Sequence, residues 1–336
     1  MNFTIYKLHF TEPLHINYMR GDTSISQRTI QSDTLYAALI SSLAKIGEMK
    51  ATADGDLGCT ISSLFPYCQE LEEDEATFFL PMPYQARLPK LKDASLAKKV
   101  KKVQWVDHTL YGRILGEKHG EHIFDNDSDY IKNIWKSFLI APKEKPFNDF
   151  FTSSVTVRTS IPDRTGNSHS MPFYVDRVFF KGHSGLYFLV DGKTDLIEKG
   201  LDVLKDEGVG TDRNVGYGAF EYEKDSIDID CPTFGTTPFY LSLSVLIPEN
   251  EKQLTSLLDS ENVAYELVRR GGWITTYPYT TLRKNAIYAF LPGSVFSNKE
   301  KNDQKTIGRI VDLTPDMEIN HKIWRSGRSI VLPIIP

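Results

Sequence analysis

The sequence predicts an α+β protein: two ferredoxin-like (RRM-like) domains in tandem, with a large insertion in the first. Three observations carry this. Segments of strand and helix pattern follow one another in the order β-α-β-β-α-β, with one additional strand, through the first two-thirds of the chain. About a hundred residues between the first helix and the next expected strand exceed ordinary connection lengths. A second, shorter series of strands with one helix begins near Pro238.

The elements follow in order. Residues 3–10 alternate as a strand, and a polar loop with Arg20 and Arg28 comes next. Ser32-Asp33-Thr34-Leu35 is a helix start, with Leu35, Ala38, Leu39, Ser42, Leu43 and Ile46 at helical spacing and Gly47 as the stop. The insertion, at about 48–150, is rich in proline, lysine and aromatics and reads as lobes for partner contacts. Strands are expected at Val155–Ile161, Met171–Phe180 and Gly185–Val190. The second helix spans Thr194–Glu207, with Leu196, Ile197, Leu201 and Leu204 on one face. A strand follows from Ala219. Asp225–Thr237, with prolines and no apolar period, reads as a linker, so the domains are set at 1–228 and 236–336. In the second domain, Phe239–Ile247 reads as a strand and Glu249–Leu258 as a short helix. Strands are expected at Tyr265–Val268, Ala286–Leu291, Ile307–Leu313 and Ser329–Ile334.

Composition excludes several classes. The 336 residues hold 40% hydrophobic and 25% charged side chains, with no apolar run of membrane-spanning length, so the cytoplasm is expected. Three scattered cysteines (Cys59, Cys68, Cys231) form neither a disulfide framework nor a metal motif, and eight histidines contain no His-x-x-x-His pair. Asp225, Asp228 and Asp230 alternate as metal carboxylates would, but acids in a linker are ordinarily solvated, so neither metal nor cofactor is expected. A net charge of −5 argues against a general nucleic-acid binder while leaving a local groove open. The Lys98, Lys99, Lys101, Lys102 cluster and the nearby Glu72, Glu73, Asp74, Glu75 run read as solvated faces.

The stretch Gly208-Val209-Gly210-Thr211-Asp212-Arg213-Asn214-Val215-Gly216-Tyr217-Gly218 stands apart. Four of 22 glycines fall in these eleven residues, between a helix and a strand. A Walker loop needs Gly-Lys and opens a helix, and a dinucleotide fingerprint runs from strand into helix, so neither fits. Glycines at positive φ let backbone N–H groups approach an anion, and Arg213 can grip a phosphate or a guanine edge. Substitution of Gly210 or Gly216 is therefore expected to act on ligand binding before stability.

Taken together, these segments resemble the RAMP proteins of CRISPR effectors, and within them the Cas-five-group subunit of the type III-A (Csm) complex. The resemblance covers nearly the whole chain. It rests on Pro13-Leu14-His15-Ile16, Ser32-Asp33-Thr34-Leu35, the stretch Lys99 to Leu115, Val157-Arg158, Asp163-Arg164-Thr165-Gly166 and above all the glycine loop. In the last third it rests on Arg270-Gly271-Gly272-Trp273, Pro292-Gly293-Ser294-Val295-Phe296, Gly308-Arg309-Ile310-Val311-Asp312 and Arg325-Ser326-Gly327. It implies a non-catalytic subunit that grips the 5′ handle of the crRNA. That subunit would also join the large polymerase–cyclase subunit to the first backbone RAMP subunit. It places RNA contacts at Arg20, Ser32, Arg158, Arg164 and Asn167. In the loop it places them at Gly208, Gly210, Thr211, Arg213, Asn214, Gly216 and Gly218. The rival reading is a RAMP-fold endoribonuclease processing crRNA precursor, with His15 as general acid or base; His169 and His183 are weaker candidates.

Overall fold

The first strand, Asn2–Phe10, is buried on both faces and so takes a central place in its sheet. In the computed structural model, Phe220–Asp228 and Gly185–Gly192 flank it, both antiparallel. Registers are Asn2↔Asp228 through Phe10↔Phe220 on one side and Thr4↔Val190 through Leu8↔Leu186 on the other. The structure describes residues 1–19, 22–48, 53–71, 75–84, 94–116, 133–141, 149–160, 170–299 and 302–335. Among these, no helix is long and apolar enough to cross a membrane.

The outer partners of Gly185–Gly192 come from the stretch read as an insertion. Cys59–Ile61 and Phe65–Cys68 both pair with it, antiparallel. Thr77–Pro81, Trp105–Asp107, Phe138–Leu139 and Ile134–Trp135 then extend the same sheet to nine strands. The strands expected at Val155–Ile161 and Met171–Phe180 do form, as Phe151–Thr159 and Pro172–Phe180, but as a separate two-stranded ribbon. The expected linker is also partly strand. Phe220–Asp228 continues through Asp225, which pairs with Lys7 at 3.3 Å, and Asp228, which holds the N-terminal ammonium at 2.9 Å.

Two helices cover one face of this sheet. Ser32–Lys45 and Asp195–Glu207 pack together through Leu39 and Gly200. A Cβ on Gly200 would stand 2.8 Å from Leu39 Cδ2, so a larger residue there would push the end of the Leu39 side chain aside. Ile197, Leu201 and Leu204 form the buried stripe of the second helix, as their spacing predicts.

The C-terminal part builds a four-stranded sheet in the order Val295–Ser297, Phe239–Ser242, Ser329–Ile334, Thr306–Ile307, with helix Glu251–Leu258 beside it. Two short ribbons accompany it, Leu267–Arg270 with Ile287–Phe290 and Ile310–Asp312 with Trp324–Ser326. The two parts share apolar core: Leu241, Leu243, Val295, Ile330 and Leu332 belong to the same buried cluster as Ile5, Leu39 and Phe188. Their seam is lined by buried serines. Val245 N–H donates to Ser32 Oγ at 2.9 Å, Ser244 Oγ donates to the Ile61 carbonyl at 2.9 Å, and Ser63 N–H donates to the Leu243 carbonyl at 3.0 Å.

At the seam one carboxylate carries most of the electrostatic burden. Asp33, in the first turn of Ser32–Lys45, is fully buried. Arg270 Nε and Nη2 reach its oxygens at 2.7 and 2.5 Å, and Arg325 Nη1 reaches Oδ2 at 2.5 Å. Burial alone would raise its pKa, but Arg325 and Arg270 outweigh that and hold it below the usual carboxylate range. The helix N-terminus adds a favourable field.

Removing this carboxylate leaves two poorly solvated guanidiniums without a partner. Asp33→Ala is expected to cost roughly 3–5 kcal/mol in a denaturant titration, while replacing all three ionic groups by apolar residues recovers much of it. Because the folded pKa is depressed, the stabilisation is present above the unfolded pKa. It drains away as pH falls through the folded value. Melting temperature should therefore drop more steeply below about pH 4 in the wild type than in that triple variant.

Candidate nucleic-acid interface

The helix Asp195–Glu207 stops because Gly208 turns to φ +76°, where a side chain would be strained. From there the chain makes a closed loop back to Phe220. Val209 N–H donates to the Gly218 carbonyl at 3.0 Å and closes its neck. Thr211 N–H and Oγ1 both donate to the His15 carbonyl at 2.9 Å, and Gly218 N–H donates to the Pro13 carbonyl at 3.0 Å. The loop thus sits on the segment that follows the first strand.

Its tip is a short 3-10 turn, Arg213–Val215, entered through Asp212 in the left-handed region at φ +62°. That conformation costs a non-glycine residue about 1–2 kcal/mol, and an ion pair holds it. Arg158 Nη1, from the Phe151–Thr159 ribbon, meets Asp212 Oδ2 at 2.7 Å. Arg158 Nη2 donates to Tyr217 Oη at 2.8 Å, with the guanidinium 5.1 Å from that ring's centroid. The clamp leaves Arg213, Asn214, Val215 and Gly216 exposed. Among the described residues neither Arg213 nor Asn214 has a hydrogen-bond or ion-pair partner through its side chain.

The glycines divide into two kinds. A Cβ on Gly208, Gly210 or Gly218 would strike backbone oxygen of Tyr217, His15 or Val209 at 2.4, 2.6 and 2.0 Å. These three fold the loop upon itself. Gly216, at φ +90°, has nothing within 4 Å of that position and faces open space. The expectation that Gly210 acts mainly on a ligand is therefore corrected: its neighbour is the His15 backbone.

The structure sorts the other expected contacts. Gly208, Gly210, Thr211, Arg213, Asn214, Gly216 and Gly218 come together in the loop. Arg158 joins them from below, engaged with Asp212 and Tyr217. Ser32 does not join them; it is buried at the seam with its hydroxyl accepting from Val245, which corrects its placement as an RNA contact. Arg20, Arg164, Asn167 and His169 lie outside the described residues. Asp212 and Tyr217 were not singled out as clamp residues; their spacing around Arg213 offers no sign of a partner 54 and 59 residues upstream. Beside the loop, the ribbon exposes Val155, Val157, Phe173 and Tyr174. Lys98, Lys99, Lys101 and Lys102 lie on an exposed face after the Ala94–Val100 helix begins, as a solvated cluster would.

His15 is 1% exposed, with Nδ1 2.6 Å from the Asp176 carbonyl and Nε2 2.7 Å from Asn17 Oδ1. Both ring nitrogens are thus occupied inside the fold. His183 lies on the open face of the first sheet, its ring 5.8 Å from that of His9 and beside Glu221 and Glu223.

Comparison with known proteins follows the same lines. Residues 236–334 match the family model of the CRISPR Csm4 C-terminal domain. The Csm4 protein of Streptococcus thermophilus is 24% identical, covering 97% of this chain and 97% of its own length. That of Mycobacterium tuberculosis is 25% identical over 94% and 93%, and that of Methanocaldococcus jannaschii 22% over 98% and 95%. Among solved structures, a Csm3–Csm4 subcomplex of a type III-A CRISPR-Cas interference complex superposes with a TM-score of 0.62. There 100% of each chain is covered at 18% identity. A Csm1–Csm4 cassette in complex with pppApA gives 0.59 at 18% identity, covering 99% of this chain and 98% of that one. Residues 236–334 thus carry a match to the CRISPR Csm4 C-terminal domain, and from end to end the chain is similar to Csm4 proteins.

The two kinds of glycine should separate in stability measurements. Gly216→Ala is expected to cost about 1 kcal/mol, from its φ alone. Gly210→Ala should exceed about 2 kcal/mol, because collision with a backbone carbonyl adds to the strain. Equilibrium unfolding of the two variants checks the ranking.

Proposed function

We propose that this chain is a non-catalytic subunit of a type III-A (Csm) effector, working in the cytoplasm in antiviral defence. In this reading the glycine loop grips the 5′ handle of the crRNA. The rest of the molecule joins the large polymerase–cyclase subunit to the first backbone RAMP subunit. One observation carries it: a clamped loop presents to solvent an arginine and an asparagine with no side-chain partner among the described residues, and a bare glycine. Single-stranded RNA is held by such a set, with guanidinium and backbone N–H on phosphate, amide on base edge or sugar, and apolar surface for bases.

The assemblies named for the structural neighbours support the partner reading, since they pair the family with Csm1 and with Csm3. The exposed apolar ribbon beside the loop is the kind of surface an assembly subunit uses. The strand order of the first sheet, Phe220–Asp228, Asn2–Phe10, Gly185–Gly192, Cys59–Cys68, supports a ferredoxin-like first domain at 1–228. The sheet at 239–334 supports a shortened second one at 236–336. Engagement of both His15 nitrogens supports binding over cleavage, because a general acid or base needs a free nitrogen at the scissile phosphate.

With repeat-derived RNA in filter binding, Arg213→Ala is expected to lose about 1–3 kcal/mol, and Arg213→Lys to recover part of it. Affinity of the chain alone should be weak and salt-sensitive, and retention should tighten when both partner subunits are added. An unchanged Arg213→Ala affinity would remove the loop from the interface. RNA cleavage abolished by His15→Ala would instead establish the processing enzyme.

A further inference from the structure

Among the described residues, the cluster around Asp33 at the seam holds more positive than negative charge. Arg270 and Arg325 share the single carboxylate of Asp33. A third cation, Lys284, is tied through its backbone N–H to Gly272, two residues beyond Arg270, and interacts electrostatically with Arg325, Asp33 and Arg270. Among the described residues, three cations against one carboxylate leave two positive charges uncompensated when Lys284 is protonated. The Lys284 ammonium has no hydrogen-bond or ion-pair partner among the described residues, and its side chain is only partly exposed. Burial, together with Arg325 and Arg270, pulls its pKa down to about 8.

Several features around Lys284 keep this position open. Gly272, at φ +111°, lies beneath the lysine stem: its carbonyl accepts from Lys284 N–H at 3.0 Å. A Cβ there would meet only Lys284 Cε, at 3.9 Å. The next residue, Trp273, pairs with Arg283 across the ribbon, and that guanidinium lies 4.7 Å from the indole centroid. Trp273 is 45% exposed. A fourth cation and a half-exposed indole thus adjoin the charged cluster. Guanidinium forks and an ammonium around one shared carboxylate suit a multiply charged oxyanion such as a phosphoryl group.

We propose that Lys284, backed by Arg270 and Arg325, forms a phosphate-binding site at the seam between the two parts of the molecule, built from residues other than those of the glycine loop. The site stands whether or not the loop holds RNA. Its phosphate comes from an RNA backbone or a free nucleotide.

The test uses the full chain in phosphate-free buffer, with inorganic phosphate added against chloride at equal ionic strength. Phosphate is expected to raise the wild-type melting temperature by about 2 °C or more at ten times its Kd. Lys284→Met should lose that response, Lys284→Arg should keep it, and Arg213→Ala, whose loop is elsewhere, should keep it as well. ADP and a repeat-derived RNA then identify the source. An ADP-specific shift that Lys284→Met removes assigns a nucleotide. A salt slope for RNA binding that falls by about one in Lys284→Met, without an ADP response, assigns an RNA backbone. A wild-type response no larger than that to chloride, or one that persists in Lys284→Met, overturns the proposal.

Discussion

The ion cluster at Asp33 is the constraint on which the rest of the structure depends. A carboxylate with no exposed surface survives only with strong partners, and both come from more than 230 residues away along the chain. The cluster fixes the first turn of Ser32–Lys45 against the C-terminal part. That helix packs through Leu39 on Gly200 and so positions Asp195–Glu207, whose end launches the glycine loop. The serine contacts at Ser32, Ser63 and Ser244 satisfy the backbone polar groups that the same seam buries. Loop and seam are therefore parts of one frame.

The loop's own geometry follows from that frame. Its base takes the carbonyls of Pro13 and His15 as acceptors, and those residues lie directly after the central strand. Arg158 ties the other side to the ribbon. Rigid support beneath exposed donors lowers the ordering cost of binding, so a short tip with Arg213, Asn214 and Gly216 can serve without a large basic surface. This reconciles an overall charge of −5 with an RNA-binding reading.

Much of this was legible in the sequence where the signal is local. The central strand, both helices and the glycine loop each carry their own period or cap, and all lie where the residues indicate. The strands at Cys59–Ile61 and Phe65–Cys68 were missed because they are short and buried at every position, so no alternation betrays them. Phe151–Thr159 does alternate, yet periodicity cannot say which sheet a strand joins. The strand through Asp225 and Asp228 was read as linker because an edge strand facing water looks polar. Ser32 and Asp33 carry an ordinary helix-start pattern; only a partner from the far end of the chain turns them into a seam. The clamp of Asp212 and Tyr217 by Arg158 was hidden for the same reason.

The central claim, that the loop tip is the RNA contact, is most directly tested by photocrosslinking. A reconstituted complex with thiouridine-substituted repeat-derived RNA would be digested and the crosslinked peptides mapped by mass spectrometry. The account predicts crosslinks to handle nucleotides within Arg213–Tyr217. Crosslinks confined to other segments, with that stretch unmodified while RNA is bound, would contradict it.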